Sequence, residues 1–331
     1  MKKCFLKFII LTSFFFSAAE AQNLFPLLGG QRIGTAAVTF LKIDVGAKAT
    51  AMSGASVANA DDASSLYWNP ASSAFIPDNT VSVSHIEWPV EIQYEYLSYV
   101  HHFSGFGTLG LSTGYLHMED MEVTTEYHPT GTGEYFQYYD AFASVTYSLK
   151  MTDRFSFGTS VKYVEENLAG LKMGGWLLDL GTFYWTGFRS LRFAVSVVNF
   201  GQDLKPSGSF LKRSREGNYV QSNYESFSPP TTFRVGSAME VIDNNEYTLT
   251  TSVQINHPVD NAENAVLGLE FGYIKKLFLR AGYRINYDEE KFTFGAGVQV
   301  PVASTRLVID YAFKQFKTLG KTNQFSLGYH F

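Results

Sequence analysis

From about residue 80 to its end the chain repeats one unit: about ten residues in which apolar and polar positions alternate, then a turn or loop. A period of two puts successive side chains on opposite faces of a strand. The last segment shows it most clearly, with Phe325, Leu327, Tyr329 and Phe331 on one face and Gln324, Ser326, Gly328 and His330 on the other. The same division separates Leu277, Leu279, Ala281, Tyr283 and Ile285 from Arg280, Gly282, Arg284 and Asn286. It also separates Tyr247, Leu249, Val253 and Ile255 from Thr248, Thr250, Ser252, Gln254 and Asn256. Strands are predicted at 80–87, 92–103, 107–117, 137–149, 155–164, 174–186, 191–199, 231–241, 247–257, 265–274, 277–286, 291–300, 305–313 and 322–331, fourteen in all.

Connection lengths give an independent check. Every second connection is short: 104–106, 150–154, 187–190, 243–246, 275–276 and 301–304. The long ones, 118–136 and 200–230, fall in the other set. An up-and-down barrel with short periplasmic turns and longer outer loops sorts its connections this way, and an even strand count returns the C-terminus to the side where the barrel starts. A soluble β-sandwich is the competing reading; it would need a second sheet over its apolar face and has no reason to sort loops by length.

Beyond the first 21 residues no window approaches 18 continuous apolar residues, so no helix is expected to span a membrane. A spanning chain of this kind must close into a barrel, because closure alone satisfies every backbone polar group in lipid. Aromatics at 16%, 28 glycines, 10 prolines and a mean hydropathy near zero suit a sheet apolar on one face and polar on the other. The expected fold is an all-β, transmembrane, antiparallel up-and-down barrel of about 14 strands. Trp88, Tyr94, Tyr96, Trp176, Tyr184 and Trp185 lie at strand ends, where aromatic rings serve the membrane interface or, equally, a core.

Residues 1–21 read as a secretory signal: Lys2 and Lys3, an apolar run from Phe5 to Ala18 and an A-x-A site at Ala19-Glu20-Ala21. Its removal would take away three lysines, one glutamate and Cys4, the one cysteine, and move the net charge from −5 to −7. An acidic chain without cysteine points away from nucleic acid and from disulfide or thiolate chemistry. The domain plan is therefore signal 1–21, an N-terminal segment 22–78 and a barrel 79–331.

The N-terminal segment does not alternate. It is rich in Ala, Gly and Ser, with an Asn69-Pro70 breaker, while Leu41, Ile43, Val45, Met52, Tyr67 and Trp68 give it more apolar weight than a disordered linker carries. Small residues suit close packing in a confined lumen, so a hatch inside the barrel is expected. Gly46-Ala47-Lys48-Ala49, Met52-Ser53-Gly54-Ala55, Ala60-Asp61-Asp62-Ala63 and Asn69-Pro70-Ala71 resemble the FadL-like outer-membrane barrels, and within them the PorV/PorQ proteins. That resemblance implies fourteen strands, a hatch carrying Asp61, Asp62, Asn69 and Pro70, and a place in the bacterial outer membrane. The terminal Phe331, with Tyr329 two residues before it, resembles the assembly signal read by the outer-membrane insertion machinery. Ser53 departs from the pattern, standing where PorV/PorQ-like sequences often have Gly, and an additional C-terminal sorting domain is not expected.

Patterns that suggest chemistry dissolve in context. Gly105-x-Gly107-x-x-Gly110 has no helix after it to hold a pyrophosphate and reads as a hairpin turn. Gly110-x-Ser112-x-Gly114 lies within one alternating strand, not at a nucleophile elbow. His101 and His102, being adjacent on a strand, point apart and do not share a metal. Asp61 and Asp62 offer carboxylates to Ca²⁺ but read more simply as turn and cap formers. No enzyme, metal or cofactor is expected. The inward charges Lys162, Arg192, Arg234, Glu240, Glu270, Arg280, Arg284 and Asp310 carry both signs, and they either pair with one another and with the hatch or line a wet pore.

PorV/PorQ resemblance implies an accessory of type IX-like secretion that binds a translocon or exported cargo. FadL resemblance implies transport of long-chain fatty acids or other hydrophobic compounds. A purely structural barrel is the third possibility. The predicted outer loops favour the first: 200–230 carries Lys205, Lys212, Arg213 and Arg215 among Phe210, Tyr219, Tyr224 and Phe227, and 118–136 carries Glu119, Asp120, Glu122, Glu126 and Glu134. Polar, aromatic loops suit protein contacts.

Overall fold

The structure, a computed structural model, describes residues 33–59, 61–213 and 218–331. The expected signal with its cleavage point, residues 22–32 of the expected hatch, Ala60 and residues 214–217 lie outside the described residues. The strands in chain order are β1 (Thr80–Glu87), β2 (Gln93–Phe103), β3 (Gly107–His117), β4 (Met121–Glu122), β5 (Tyr135–Phe136), β6 (Tyr138–Lys150), β7 (Phe155–Leu168), β8 (Leu171–Trp185), β9 (Arg192–Gly201), β10 (Ser209–Arg213), β11 (Tyr219–Asn223), β12 (Thr232–Asp243), β13 (Tyr247–Pro258), β14 (Asn264–Tyr273), β15 (Leu277–Ile285), β16 (Glu290–Val302), β17 (Thr305–Phe316) and β18 (Lys321–His330). Fourteen of them form one closed antiparallel barrel in which each pairs with its neighbours in sequence and β1 meets β18. The remaining four make two hairpins, β4–β5 and β10–β11, inside what the sequence pattern offers only as long loops.

The alternation decides the two faces. Leu97, Leu111, Val145, Val161, Val253, Leu279, Phe294, Ile309, Phe325 and Leu327 are exposed on the outside, a continuous apolar band far larger than a soluble surface carries. Their neighbours Ser98, Ser112, Ser144, Thr146, Ser160, Ser252, Gln254 and Ser326 are buried inside. Small hydroxyls link inner positions of adjacent strands: Ser84 with Ser326 at 2.8 Å, Ser112 with Ser144 at 2.7 Å and Thr146 with Ser160 at 2.6 Å. An apolar outer band around a hydrogen-bonded interior is the membrane-spanning arrangement.

Two expectations need correction. The sequence pattern ends a strand at 164 and restarts at 174, but β7 and β8 run on to Leu168 and from Leu171, joined by Ala169-Gly170. Both turn residues have positive φ, 50° and 84°, the backbone of the tight hairpin turn that matches strand twist. Glu165, Asn167 and Lys172 break the apolar alternation there, yet still pair across the hairpin. The aromatic cluster also divides. Trp176 and Tyr184 are exposed outside, whereas Tyr94 and Tyr96 are wholly buried within the lumen and Trp185 packs on the inner Phe75 and Phe183. Tyr94 and Tyr96 share the parity of inward Ser98, so strand phase rather than residue type sets their direction.

Residues 33–59 and 61–79 run through the lumen. At one end Ala37 donates to the carbonyl of Ser228, in the 202–231 connection. At the other, Asn79 accepts from Phe331, beside the start of β1. By the length rule, the end bearing 118–137 and 202–231 faces outward. The segment therefore descends from the outer end to the periplasmic end, and only its last residues share a side with the C-terminus. On the way, the helix Ala47–Ala51 lies on β15 to β18 and the 3₁₀ helix Pro70–Phe75 on β3 and β6 to β8. The segment thus touches opposite walls of the barrel. Its Phe40, Leu41, Tyr67 and Trp68 form one buried cluster with Tyr94, Tyr96, Phe142 and Leu177 of the wall.

Candidate functional site

The wall is shaped for this segment. Several inward glycines stand where its backbone comes closest: a Cβ at Gly158 would lie 2.5 Å from the Ala71 nitrogen, one at Gly295 2.5 Å from Ala51 Cβ, and one at Gly282 would overlap the Ser53 nitrogen. Gly158 faces Gly181 across β7 and β8, and together they make a slot for Asn69-Pro70-Ala71. Asn69 caps the following 3₁₀ helix, its Oδ1 accepting from the Ala71 nitrogen at 3.0 Å. Its Nδ2 donates to Val57 O and to Thr182 O of the wall, both at 3.1 Å. Pro70 takes the first helical position, where its missing N–H costs nothing.

The inward charges form separate networks. Nearest the outer end, Asp44 receives Lys314 at 2.6 Å and Arg284 at 3.1 Å, and Glu290 holds the same two cations at 3.0 and 3.7 Å. Burial alone would raise the Asp44 carboxyl, but Lys314 and Arg284 outweigh it and hold the pKa at about 2. Lower down, Arg280 joins Glu270 at 2.6 Å to Asp310 at 2.7 Å, and Lys48 pairs with Glu270 at 3.1 Å and with Asp61. Arg192 makes a double contact with Glu240, at 2.8 and 2.9 Å, and donates to Ala58 O at 2.7 Å. Lys162 meets Asp179 at 3.0 Å and Asn199 at 2.7 Å. Arg234 differs: it contacts the carbonyls of Tyr67 and Trp68 at 3.3 and 3.4 Å and lies over the Trp68 ring.

Asp61 and Asp62 separate in role. Asp61 faces Lys48. Asp62 accepts from the nitrogen and hydroxyl of Ser64, at 2.7 and 2.5 Å, in a turn that opens the helix Ser65–Trp68. Burial, then the neighbouring Asp61 charge, pushes its carboxyl up to about 6.

Sequence reasoning missed Asp44, Lys48, Asp179, Glu290 and Lys314. Lys314 lies one residue past the predicted strand end at 313, in phase with inward Asp310 and Ala312, so carrying the alternation further finds it. Glu290 does not follow, because a register shift between Glu290 and Thr293 turns it inward against the strand's phase. Asp179 shares the phase of inward Gly181, although leucines flank it. Ser53 sits at φ 53°, left-handed backbone that explains why Gly suits the position. Here its hydroxyl meets Thr293 at 3.0 Å and its carbonyl accepts from Arg284 at 2.7 Å.

Two polar cavities flank the segment. One of about 90 Å³ lies near the outer end beside Trp68, and one of about 220 Å³ lies lower, between Lys48, Asp61, Trp185, Arg192 and Glu240.

The family model described as "Type IX secretion system protein PorV" matches residues 29–261, which takes in the lumen segment and the barrel through β13. The chain belongs to the PorV family. No curated protein matches it in sequence. Among solved structures, this PorV-family barrel is similar to the toluene transporter TbuX of Ralstonia pickettii, with TM-score 0.56, 13% identity and 86% of this chain covering 97% of that one. It is also similar to the toluene transporter TodX of Pseudomonas putida, with TM-score 0.57, 14% identity and coverage of 86% and 96%. A FadL homologue of Pseudomonas aeruginosa follows at TM-score 0.51, 10% identity, 86% and 97%. At such identities the likeness is one of fold alone; the PorV-family match together with the closed barrel places the chain in the outer membrane as an integral protein.

Proposed function

We propose that this PorV-family barrel is an accessory of type IX-like protein secretion, holding a translocon component or exported cargo with its outer loops while residues 22–78 close the lumen as a hatch. The observation that carries the reading is the contrast between a lumen in which residues 33–59 and 61–79 pack on the wall and an elaborated outer end. The β10–β11 hairpin presents exposed Leu211, Tyr219 and Val220, and the loop around β4–β5 presents exposed Tyr127 and Tyr135, side chains that suit protein contacts.

Transport of hydrophobic compounds is the second reading, favoured by the description of TbuX and TodX as toluene transporters. Against it, both cavities beside the segment are lined by charges and amides, whereas a site for hydrophobic ligands is mostly apolar. Two variants separate the readings in the native host. Removing residues 205–225 is expected to abolish co-purification of secretion components, and changing Asn69-Pro70 to Ala-Ala is expected to leave it intact. Loss of hydrophobic-tracer uptake in the second variant, with unchanged partners in the first, would leave the transporter standing.

A further inference from the structure

We infer that the outer cavity beside Trp68 receives one carboxylate carried by a peptide, with Arg234 as its principal donor. The inference rests on the reading that the outer end of the barrel contacts protein. Each of the other inward arginines has a carboxylate close by: Arg192 at 2.8 Å, Arg280 at 2.6 Å, Arg284 at 3.1 Å and Arg306 at 3.3 Å. Among the described residues no carboxylate stands within 4.0 Å of Arg234, which is only 7% exposed. Its two carbonyl contacts, at 3.3 and 3.4 Å, are long beside the roughly 2.7–2.9 Å of charge-assisted bonds. Beside these two carbonyls the guanidinium lies over the Tyr67 and Trp68 rings, so among the described residues neutral groups alone contact its charge. A buried cation without a counter-charge is costly, and an anion from outside removes that cost.

The lining supports one kind of anion. It carries three cations, Lys42, Arg234 and Arg284, to one acid, Asp44, and Asp44 is already held by Arg284 and Lys314. Lys42 is likewise answered by Asp260. The positive charge left over is therefore that of Arg234. At about 90 Å³ the cavity is small, with room for a carboxylate and its first carbons. Thr232, Asn256, Asn261 and Asn264 add hydroxyl and amide groups that match a peptide backbone better than a lipid tail. The cavity lies where β12 begins and β13 ends, at the outer end, within reach of a segment arriving from outside.

The test uses the full-length barrel in detergent micelles and three probes: N-trifluoroacetyl-trialanine as the free acid, the same peptide as its C-terminal amide, and octanoate, with binding followed by fluorine NMR or, for octanoate, by competition. The free acid is expected to bind, the amide to bind at least roughly tenfold more weakly, and Arg234→Gln to lose a similar factor for the acid. Arg234→Lys, which keeps the charge without the fork, is expected to fall between them. Arg234→Gln is also expected to melt no lower than the parent, since it removes an unanswered buried charge. Equal binding of acid and amide overturns the inference, as does octanoate outcompeting the peptide acid. A lower melting point in Arg234→Gln with unchanged acid binding makes Arg234 a structural residue only. None of these probes needs a secretion partner, so failure of the secretion reading would show separately in the loop-trimming experiment.

Discussion

The slot formed by Gly158 and Gly181 offers the sharpest test of how the lumen segment is held. In Gly158→Ala the new Cβ would sit 2.5 Å from both the Ala71 nitrogen and the Pro70 carbonyl carbon, and 2.7 Å from Ala71 Cα. All three are backbone atoms, so relief requires the segment or the wall to move by about an ångström. Overpacking of this kind costs about 1–3 kcal/mol. Replacing a strand glycine otherwise gains about 0.5–1 kcal/mol, which leaves a net loss of up to about 2.5 kcal/mol. In Gly181→Ala the Cβ falls on Asn69 Oδ1 and displaces the group that caps Ala71, adding about 1 kcal/mol. The two losses should not add, because both strain the same turn. Gly328→Ala is the control: it is also a strand position, but its Cβ would meet nothing closer than 3.6 Å. Thermal melting of the purified barrel, with protease mapping of residues 60–76, reads the effect. Lower melting and new cleavage are expected for positions 158 and 181 but not 328. If all three alanine variants melt alike and the segment stays protected, the slot does not hold it.

Three further outcomes are expected. Arg192→Met leaves Glu240 without its partner and should destabilise the barrel by about 3 kcal/mol, while Arg192→Met with Glu240→Met should recover most of it in the same melting assay. Asp44, with its pKa held near 2 against an ordinary 3.8, contributes stability that is fully present above about pH 4 and lost as pH falls through 2. In Asp44→Asn that acid-limb loss should vanish, and melting between pH 2 and 5 checks it. Phe331, exposed on the outer face and stacked on Tyr329 at 5.5 Å, should be needed for assembly: Phe331→Asp is expected to prevent heat-modifiable, membrane-embedded protein from accumulating.

Barrel closure was legible because it depends on strand phase, and phase is written in alternate residues. Gln324 to Phe331 is enough to orient a whole strand. The parity of connection lengths then supplied the even count. What escaped depended on the third dimension. Tyr94 and Tyr96 look like an interfacial girdle until phase is weighed against residue type. Asp44 is an isolated acid in FLKIDVGAK, and nothing local says that Arg284 and Lys314, 240 and 270 residues away, will meet it. The glycine slot is silent for the same reason, since a glycine that makes room reads like one that makes a turn. Arg234 was legible as an inward charge, but its lack of a carboxylate could only be seen once the other inward arginines had found theirs.

The account's central claim, that this barrel works through protein contacts at its outer end, is tested most directly by site-specific photocrosslinking in living cells of the native host. A photoreactive residue would replace exposed Val220 on the β10–β11 hairpin or, as a control, Val253 on the apolar outer face of β13. The account predicts an adduct at 220 in which mass spectrometry identifies an exported protein or a secretion component, and none at 253. Absence of any protein adduct at 220, in cells where the lumen is labelled by a photoreactive hydrophobic tracer, would contradict it.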